Sequence, residues 1–448
     1  VLRREIAGLR EVAPWLFAPE LCTCVVGSAA LVEACARAGL EPPAAEDLDL
    51  AWALDPDAGR ALLDRHGVGL PTTEGSRDRG TLAFRAGGGR RIEITTFRGA
   101  GRSPAERIEQ DLGRRDMTIG AIAWWLAEDR IVDPSGGLDD WRAGRIEPVG
   151  EALERIAEHP IRYLRWFRRA HELGFELSRK IRRLRFDPAW FEPIPREALA
   201  AELRRALDRL RSPGALLVEL HEAGALASLA AELAPQFDGR PAGPLRHHPE
   251  LGQGLHLVLA LEWAAARTRE LPAADRNAVM VAVLTHDLGK NLTRPADLPS
   301  HPGHEGDGVP LVRSLLDRLP GLTDPRGRKL AEQVCRLHLL VRRLGEMRGG
   351  TLAGLYEREL RGADFPLPLF ALAVGADVGG RLGREAEGEA VRAQVEAELG
   401  ALRQAAAAVD ARPLREAHGE DLDGFKQALH RARAVAIRRA LRGGGNGD

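Results

Sequence analysis

The rhythm of apolar and polar positions changes once along the chain. Before about residue 150, short apolar runs alternate with helical stretches. "CVVGSAALVEAC" passes from an apolar run through Gly27 and Ser28 into a helical pattern, and "LDLAWAL", "GTLAFRA" and "RRIEITTF" read as short strands. A helical stretch is predicted from about Ala105 to Leu126, and "DRIVDPSGG" as one more strand running into a turn. From Glu151 onward no period-two alternation is found, and segments such as "REALAAELRRALDRL" carry apolar residues at helical spacing. The predicted fold class is α+β: a small mixed-sheet head followed by an all-α neck or body and a second all-α domain. "RPAGPLRHHPE" marks a boundary near residue 240, which gives four segments: 1–150, 151–240, 241–390 and a helical tail 391–448.

Length and charge narrow the class. A chain of 448 residues has room for two to four domains, and 64 Lys and Arg against 65 Asp and Glu give no wholesale basic surface of the kind that marks a nucleic-acid coat. Arginine density peaks locally, between Arg162 and Arg185. Four cysteines, Cys22, Cys24, Cys35 and Cys335, form no CxxC pair, and no run of about 18 uncharged apolar residues is present, so a cytoplasmic protein with no membrane partner is expected.

Chemistry first enters at "EDLDLAW". Side chains two apart on a strand share a face, so Asp47 and Asp49 can reach one point, and their like charges raise one pKa unless a cation sits between them. Mg²⁺, which takes hard oxygen ligands and substrate phosphates, would resolve that conflict at a phosphoryl-transfer site. Glu93 can add a third carboxylate from an adjacent strand, and the Gly27-Ser28 turn would aim N–H groups at an anion. "DLGRRDMTIGAIAWW" then places Arg114, Arg115 and Asp116 together on the predicted helical stretch, ahead of "DPSGGLDDWRAGRIEPVG" and "EHPIRYLRWFRRAHELGF".

In this order the segments resemble the class II tRNA nucleotidyltransferase and bacterial poly(A) polymerase family, over residues 22 to about 210. The resemblance implies a metal site at Asp47 and Asp49, with Glu93 as third carboxylate, where an RNA 3′-hydroxyl attacks the α-phosphate of CTP or ATP. It implies nucleotide contacts from Gly27, Ser28, Arg114, Arg115, Asp116, Glu158, His159, Arg162 and Arg165, with tRNA as partner. Arg162 and Arg165, three apart on a helix, are expected to share one face.

The chain departs from the family pattern at four places. Its GGxVRD turn lacks the arginine and aspartate, His159 stands where the family has an aspartate, and Gly120 replaces an asparagine, which is expected to loosen a helix. Only twelve residues separate Arg98 from Asp111, and in the family a short loop there accompanies enzymes that add CC without the final A.

Seven of the thirteen histidines lie between 247 and 338, in "HHPELGQGLH", "AVLTHDLGK", "LPSHPGHEG" and "VCRLHLLV", ahead of "AVGADVGGRLG". This series resembles the HD phosphohydrolase superfamily, above all the HD domain of multifunctional bacterial CCA-type nucleotidyltransferases. The resemblance implies His256, His286, Asp287 and Asp377 as ligands, with His304 and His338 where two-metal relatives add histidines. The metal would be Ni²⁺, Mn²⁺ or Mg²⁺, and the substrates phosphoesters such as 2′,3′-cyclic nucleotides. His247, His248 and His301 are expected on loops or the surface, and His66, His171, His221, His418 and His430 in structural roles. The alternatives are an HD phosphohydrolase whose altered head only binds RNA, and a poly(A) polymerase. The chain is expected as a monomer or homodimer.

Overall fold

The computed structural model describes residues 2–43, 48–71, 80–86, 91–99, 101–362 and 364–443. They divide into two compact units, Val1–Arg185 and Phe186–Asp448, so the helical stretch expected at 151–240 is shared between them. Among the described residues no helix is long and apolar enough to cross a membrane.

In the first unit a seven-stranded mixed sheet runs in the order β3-β4-β5-β2-β1-β6-β7. Its strands are β1 (Cys24–Val26), β2 (Asp49–Trp52), β3 (Gly69–Leu70), β4 (Thr81–Arg85), β5 (Arg91–Thr96), β6 (Ala123–Trp125) and β7 (Arg130–Val132). Neighbours are antiparallel except β2 and β5, which run parallel with Asp49 opposite Glu93. The strand at "LDLAWAL" is covered on both faces: after exposed Asp49, residues Leu50, Ala51 and Trp52 are all buried. Cys24, Val26, Ala51, Ala123 and Trp125 of the sheet pack with Ile108 and Leu112 to form its core.

Helix α1 (Gly27–Ala38) follows β1 directly, and α2 (Pro104–Leu112) begins at Ser103, whose capping box with Glu106 and Pro104 at the first position fix the start. The predicted helix from Ala105 to Leu126 is corrected here. It stops at Leu112; Arg114, Arg115 and Asp116 form a turn, Thr118–Gly120 a single 3₁₀ turn, and Ala123–Trp125 a central strand. "AWW" is buried on both faces, so its apolar run carries no period to separate strand from helix. Gly120 lies in the 3₁₀ turn and so imposes no helix penalty.

The first unit continues with α3 (Gly137–Arg142), α4 (Ala152–Glu158) and α5 (Arg162–Leu173). Two short strands, β8 (Arg145–Ile146) and β9 (Glu176–Leu177), pair in parallel, so the segment after Glu151 is not wholly helical. The second unit is a stack of helices, of which five carry the histidine-rich series: α6 (Gln253–Arg267), α7 (Ala273–Thr285), α8 (His304–Arg318), α9 (Pro325–Leu337) and α10 (Leu367–Gly379). All of α10 from Leu369 to Gly379 is buried, as expected of a helix without a polar stripe.

Candidate functional site

In the first unit, parallel register places Asp49 and Glu93 side by side, about 5 Å apart at the backbone and on one face of the sheet. Gly27 adopts φ +69°, and a Cβ there would lie 3.9 Å from Asp49 Oδ2, so the turn that opens α1 borders the same carboxylate. Ser28 follows as the second residue of that helix, half-buried. Glu93 is half-exposed and accepts from Arg91 Nη2 at 3.0 Å. Asp47 lies outside the described residues.

The Arg114-Arg115-Asp116 turn is held from behind by its main-chain carbonyls. Arg155 Nη1 donates to Gly113 O at 2.9 Å, Arg162 Nη2 to Arg114 O at 2.6 Å, and Trp166 Nε1 to Asp116 O at 2.9 Å. Gly137 permits a further close approach, since a Cβ would meet Thr118 O at 2.1 Å, and Thr118 Oγ1 donates to buried Asp140 at 2.6 Å. Arg115 is set by Asp111, whose Oδ2 accepts from its Nη2 at 2.9 Å while Oδ1 accepts from Arg98 N at 3.1 Å.

Arg162 and Arg165 both reach the Arg114-Arg115-Asp116 turn, but at different depths. Arg162 is 5% exposed and turned inward, where its Nη1 also donates to Arg155 O at 3.1 Å and Glu158 Oε2 at 2.5 Å. Arg165 is 42% exposed, with Nη1 4.0 Å from Asp116 Oδ2. The difference follows from position: Arg162 opens α5 and bends back toward the carbonyls of the preceding segments, whereas Arg165 lies one turn on. Burial, together with the charges of Arg162, Arg98 and Arg165, lowers the His159 pKa, so the imidazole is neutral near pH 7. Burial opposes ionisation of Glu158, but the Arg162 hydrogen bond and the Arg155 charge outweigh it and hold the carboxyl below its usual range. Arg155 and Trp166 were not anticipated; a side chain bonded to a distant carbonyl leaves no spacing to read.

In the second unit, all six expected residues meet and all are buried: His256 in α6, His286 and Asp287 just after α7, His304 at the start of α8, His338 just after α9 and Asp377 in α10. Asp287 is central. Its Oδ1 lies 3.3 Å from His304 Nε2 and 3.6 Å from His338 Nε2, and its Oδ2 3.2 Å from His286 Nε2 and 3.7 Å from His256 Nε2. His256 Nε2 is 3.5 Å from Asp377 Oδ1. Donor atoms of His256, His286 and Asp377 lie within 4.8 Å of one another, as do those of Asp287, His304 and His338.

Backbone carbonyls orient three of these imidazoles: His286 Nδ1 is 2.8 Å from Val283 O, His304 Nδ1 2.7 Å from His301 O, and His338 Nδ1 3.1 Å from Val334 O. Each carbonyl claims the Nδ1 hydrogen and leaves Nε2 bare. Both ring nitrogens of buried His256, His286 Nε2, His304 Nε2 and Asp287 Oδ1 have no hydrogen-bond partner. Leaving such atoms unmet costs about 1–3 kcal/mol each, which divalent cations would relieve, so the residues fit one or two metal ions. Burial pushes His338 down to about 4, a neutral ligand near pH 7. Against burial, the His286 and Lys290 charges hold Asp287 well below the usual carboxylate range, and Arg381 and His256 do so for Asp377.

Gly289 makes the convergence possible. A Cβ there would sit 1.9 Å from His304 O, so only glycine lets the segment after Asp287 touch the first turn of α8. A cavity of about 780 Å³ opens beside the cluster, with Lys290, His304, His338, Arg342, Asp377 and Arg381 in its wall. Lys290 Nζ lies 2.6 Å from Asp287, and Arg342 and Arg381 lie 3.1 and 3.0 Å from Asp377. His247, His248 and His301 lie outside helices and strands, as expected of loop residues; His247 is exposed, while His248 is buried against Glu250 and His301 between Thr293 Oγ1 and Pro241 O.

Known proteins resemble the chain in its head and over most of its length. The profile of the poly A polymerase head domain matches residues 35–147. The chain is 39% identical over 350 residues to the multifunctional CCA protein of Methylococcus capsulatus, covering 75% of this chain and 76% of that one. It is 33% identical over 353 residues to the multifunctional CCA protein of Burkholderia multivorans, covering 76% and 80%. Among solved structures, a CCA-adding enzyme with ATP superposes with TM-score 0.62 at 15% identity, over 98% of this chain and 90% of that one. The Bacillus stearothermophilus CCA-adding enzyme with CTP gives TM-score 0.57 at 23% identity, over 94% and 89%. At these identities the structures bear on the fold, a mixed-sheet head followed by helices.

Proposed function

We propose, from the premise that the chain belongs to the multifunctional CCA protein family, that it is a template-independent nucleotidyltransferase of tRNA 3′ ends fused to a metal-dependent HD phosphohydrolase. The observation that carries the first activity is the parallel register of Asp49 with Glu93 beside the Gly27 turn. Asp49 and Glu93, with Asp47, would hold Mg²⁺, which supplies charge neutralisation at the phosphates and acidifies the attacking hydroxyl. Arg114 and Arg115 present positive charge toward a triphosphate, and the carbonyl clamp behind them keeps the turn in place. Neutral His159 offers a base edge one donor and one acceptor, fewer acceptors than the aspartate the family has there. Base choice between CTP and ATP therefore rests on His159 and exposed Arg165, with Arg162 acting from behind.

In the second unit the same premise, with the orphaned Nε2 atoms, supports a phosphohydrolase. His256, His286, Asp287, His304, His338 and Asp377 would hold Ni²⁺, Mn²⁺ or Mg²⁺, which supplies a nucleophile from water near neutral pH. Lys290, Arg342 and Arg381 bring positive charge to the cavity wall, which suits an anionic phosphoester. The four segments 1–150, 151–240, 241–390 and 391–448 would then serve as transfer head, nucleotide- and RNA-gripping neck, hydrolase and tail.

Purified protein is incubated with Mg²⁺, labelled CTP and ATP, and tRNAs ending before C, before CC and before A. Incorporation is expected, abolished by Asp49→Asn; a chain that adds no nucleotide would refute the transferase reading, and arrest after CC assigns the limit to the short loop and His159. For the second unit, 2′,3′-cyclic AMP hydrolysis is followed with each metal in wild type and Asp287→Ala. Undiminished turnover in the variant removes the proposed site.

A further inference from the structure

One carboxylate outside the six converging residues is tied to them. Glu250, whose side chain is fully buried, lies just before α6, and its Oε1 is 2.7 Å from His248 Nδ1 and 3.0 Å from His256 Nδ1. Its Oε2 accepts from Leu382 N at 3.4 Å. His286 and His338 are oriented by carbonyls of the helices they follow, and His304 by that of His301, just before α8; His256 instead faces a carboxylate from a preceding loop.

We propose that Glu250 is a positioning residue that fixes the tautomer of His256: by taking the Nδ1 hydrogen it leaves Nε2 bare toward Asp287 and Asp377. The proposal rests on the metal-site reading above and adds a residue that reading does not use. The nitrogens around Glu250 can all donate: His248 Nδ1 bonds Oε1, Leu382 N bonds Oε2, and His256 Nδ1 lies 3.0 Å from Oε1, close but not aligned as a hydrogen bond. Only a carboxylate, an acceptor at both oxygens, satisfies all three. A carboxylate behind a ligating imidazole also raises its basicity. The neighbouring "HHPELGQGLH" thus contributes one ligand and the device that aims it, with His248 as the second donor that holds Glu250 in place.

Glu250→Gln makes the test sharp. An amide has one acceptor end and one donor end, so it meets the Leu382 N–H and the imidazoles together only by turning its oxygen to Leu382 and its NH₂ to the rings. The His256 proton then moves to Nε2. Metal-free full-length protein with ¹⁵N-labelled histidine, His256 assigned by its loss in His256→Gln, is expected to show Nδ1–H in wild type and Nε2–H in Glu250→Gln, with His286, His304 and His338 unmoved. Mn²⁺ binding, titrated by electron paramagnetic resonance, is expected to weaken about 10–100-fold. A wild-type His256 protonated at Nε2, an unchanged tautomer in the variant, or Mn²⁺ affinity within about twofold of wild type would each overturn the proposal. The wild-type spectrum decides it even if the variant does not fold. If wild type binds no Mn²⁺, the metal-site reading fails while the tautomer still decides the role of Glu250.

Discussion

Arg162→Lys separates two roles for the same side chain. In the family pattern this arginine grips a base edge; here its guanidinium is 5% exposed and spans three acceptors, Arg114 O, Arg155 O and Glu158 Oε2. Lysine keeps the charge but replaces a planar fork by a point donor on a shorter reach, so it cannot serve Nη1 and Nη2 partners together. Arg155 O also accepts from His159 N, and Glu158 is 39% exposed and can turn to water, which leaves Arg114 O as the acceptor without a replacement. One lost charge-assisted bond and one part-buried carbonyl left without its donor amount to about 2–4 kcal/mol. For a unit of this size that lowers the thermal midpoint by about 4–16 °C. Because the damage is to the Arg114-Arg115-Asp116 turn and not to a base contact, incorporation of CTP and ATP is expected to fall by the same factor. The assay is thermal unfolding followed by single-nucleotide extension with each NTP. An unchanged midpoint with unequal losses for CTP and ATP would refute the clamp and return Arg162 to the base.

Three further outcomes follow from the same geometry. Gly289→Ala is expected to cost about 1–3 kcal/mol and to weaken Mn²⁺ binding, because its Cβ would meet His304 O at 1.9 Å; calorimetry and metal titration check both. Mn²⁺ at about 100-fold its Kd is expected to add about 2.7 kcal/mol to the stability of the second unit, an increment that chelation reverses and Asp287→Ala lacks. Burial pushes Cys22 and Cys35 up to about 11 and Cys335 to about 12, so no thiol should react with an aromatic disulfide near pH 8 until denaturant exposes all four. Since those thiols are harder to ionise folded than unfolded, stability is full below about pH 9 and falls as pH rises from there toward 11 and 12, which denaturant titration across that range would record.

What could be read from the sequence is what local spacing encodes. The alternation at β5 and the carboxylates on β2 and β5 are within-strand patterns, and their pairing into one site needed only that the two strands be neighbours. The six second-unit residues were picked out by the resemblance to the HD superfamily; a cluster of histidines draws attention to the region, but alone separates neither His256 from His248 nor Asp287 from other aspartates. β6 was not legible: a strand buried on both faces shows no alternation, and its apolar run joined that of α2 into one apparent helix. For His248 and His301 the loop position was legible but the burial was not, since both side chains turn inward and find partners there.

The groups that aim others share one kind of interaction, whether sequence missed them, as it did Arg155 and Trp166, or named them in another role, as it did Arg162. Arg155, Arg162 and Trp166 bond to carbonyls 42 to 50 positions away, and a carbonyl carries no mark of residue type. Glu250 bonds an imidazole six residues on, but across a loop-to-helix junction where no period applies. In both units the groups that would touch substrate or metal are recognisable by type, while the groups that aim them are recognisable only by position. Such aiming groups tolerate no change in donor and acceptor pattern, because the atoms they hold are buried and have no water to fall back on. Arg162→Lys and Glu250→Gln, each conservative in size, are therefore expected to harm function more than removal of an exposed arginine outside both sites, such as Arg412, whose side chain is 90% exposed.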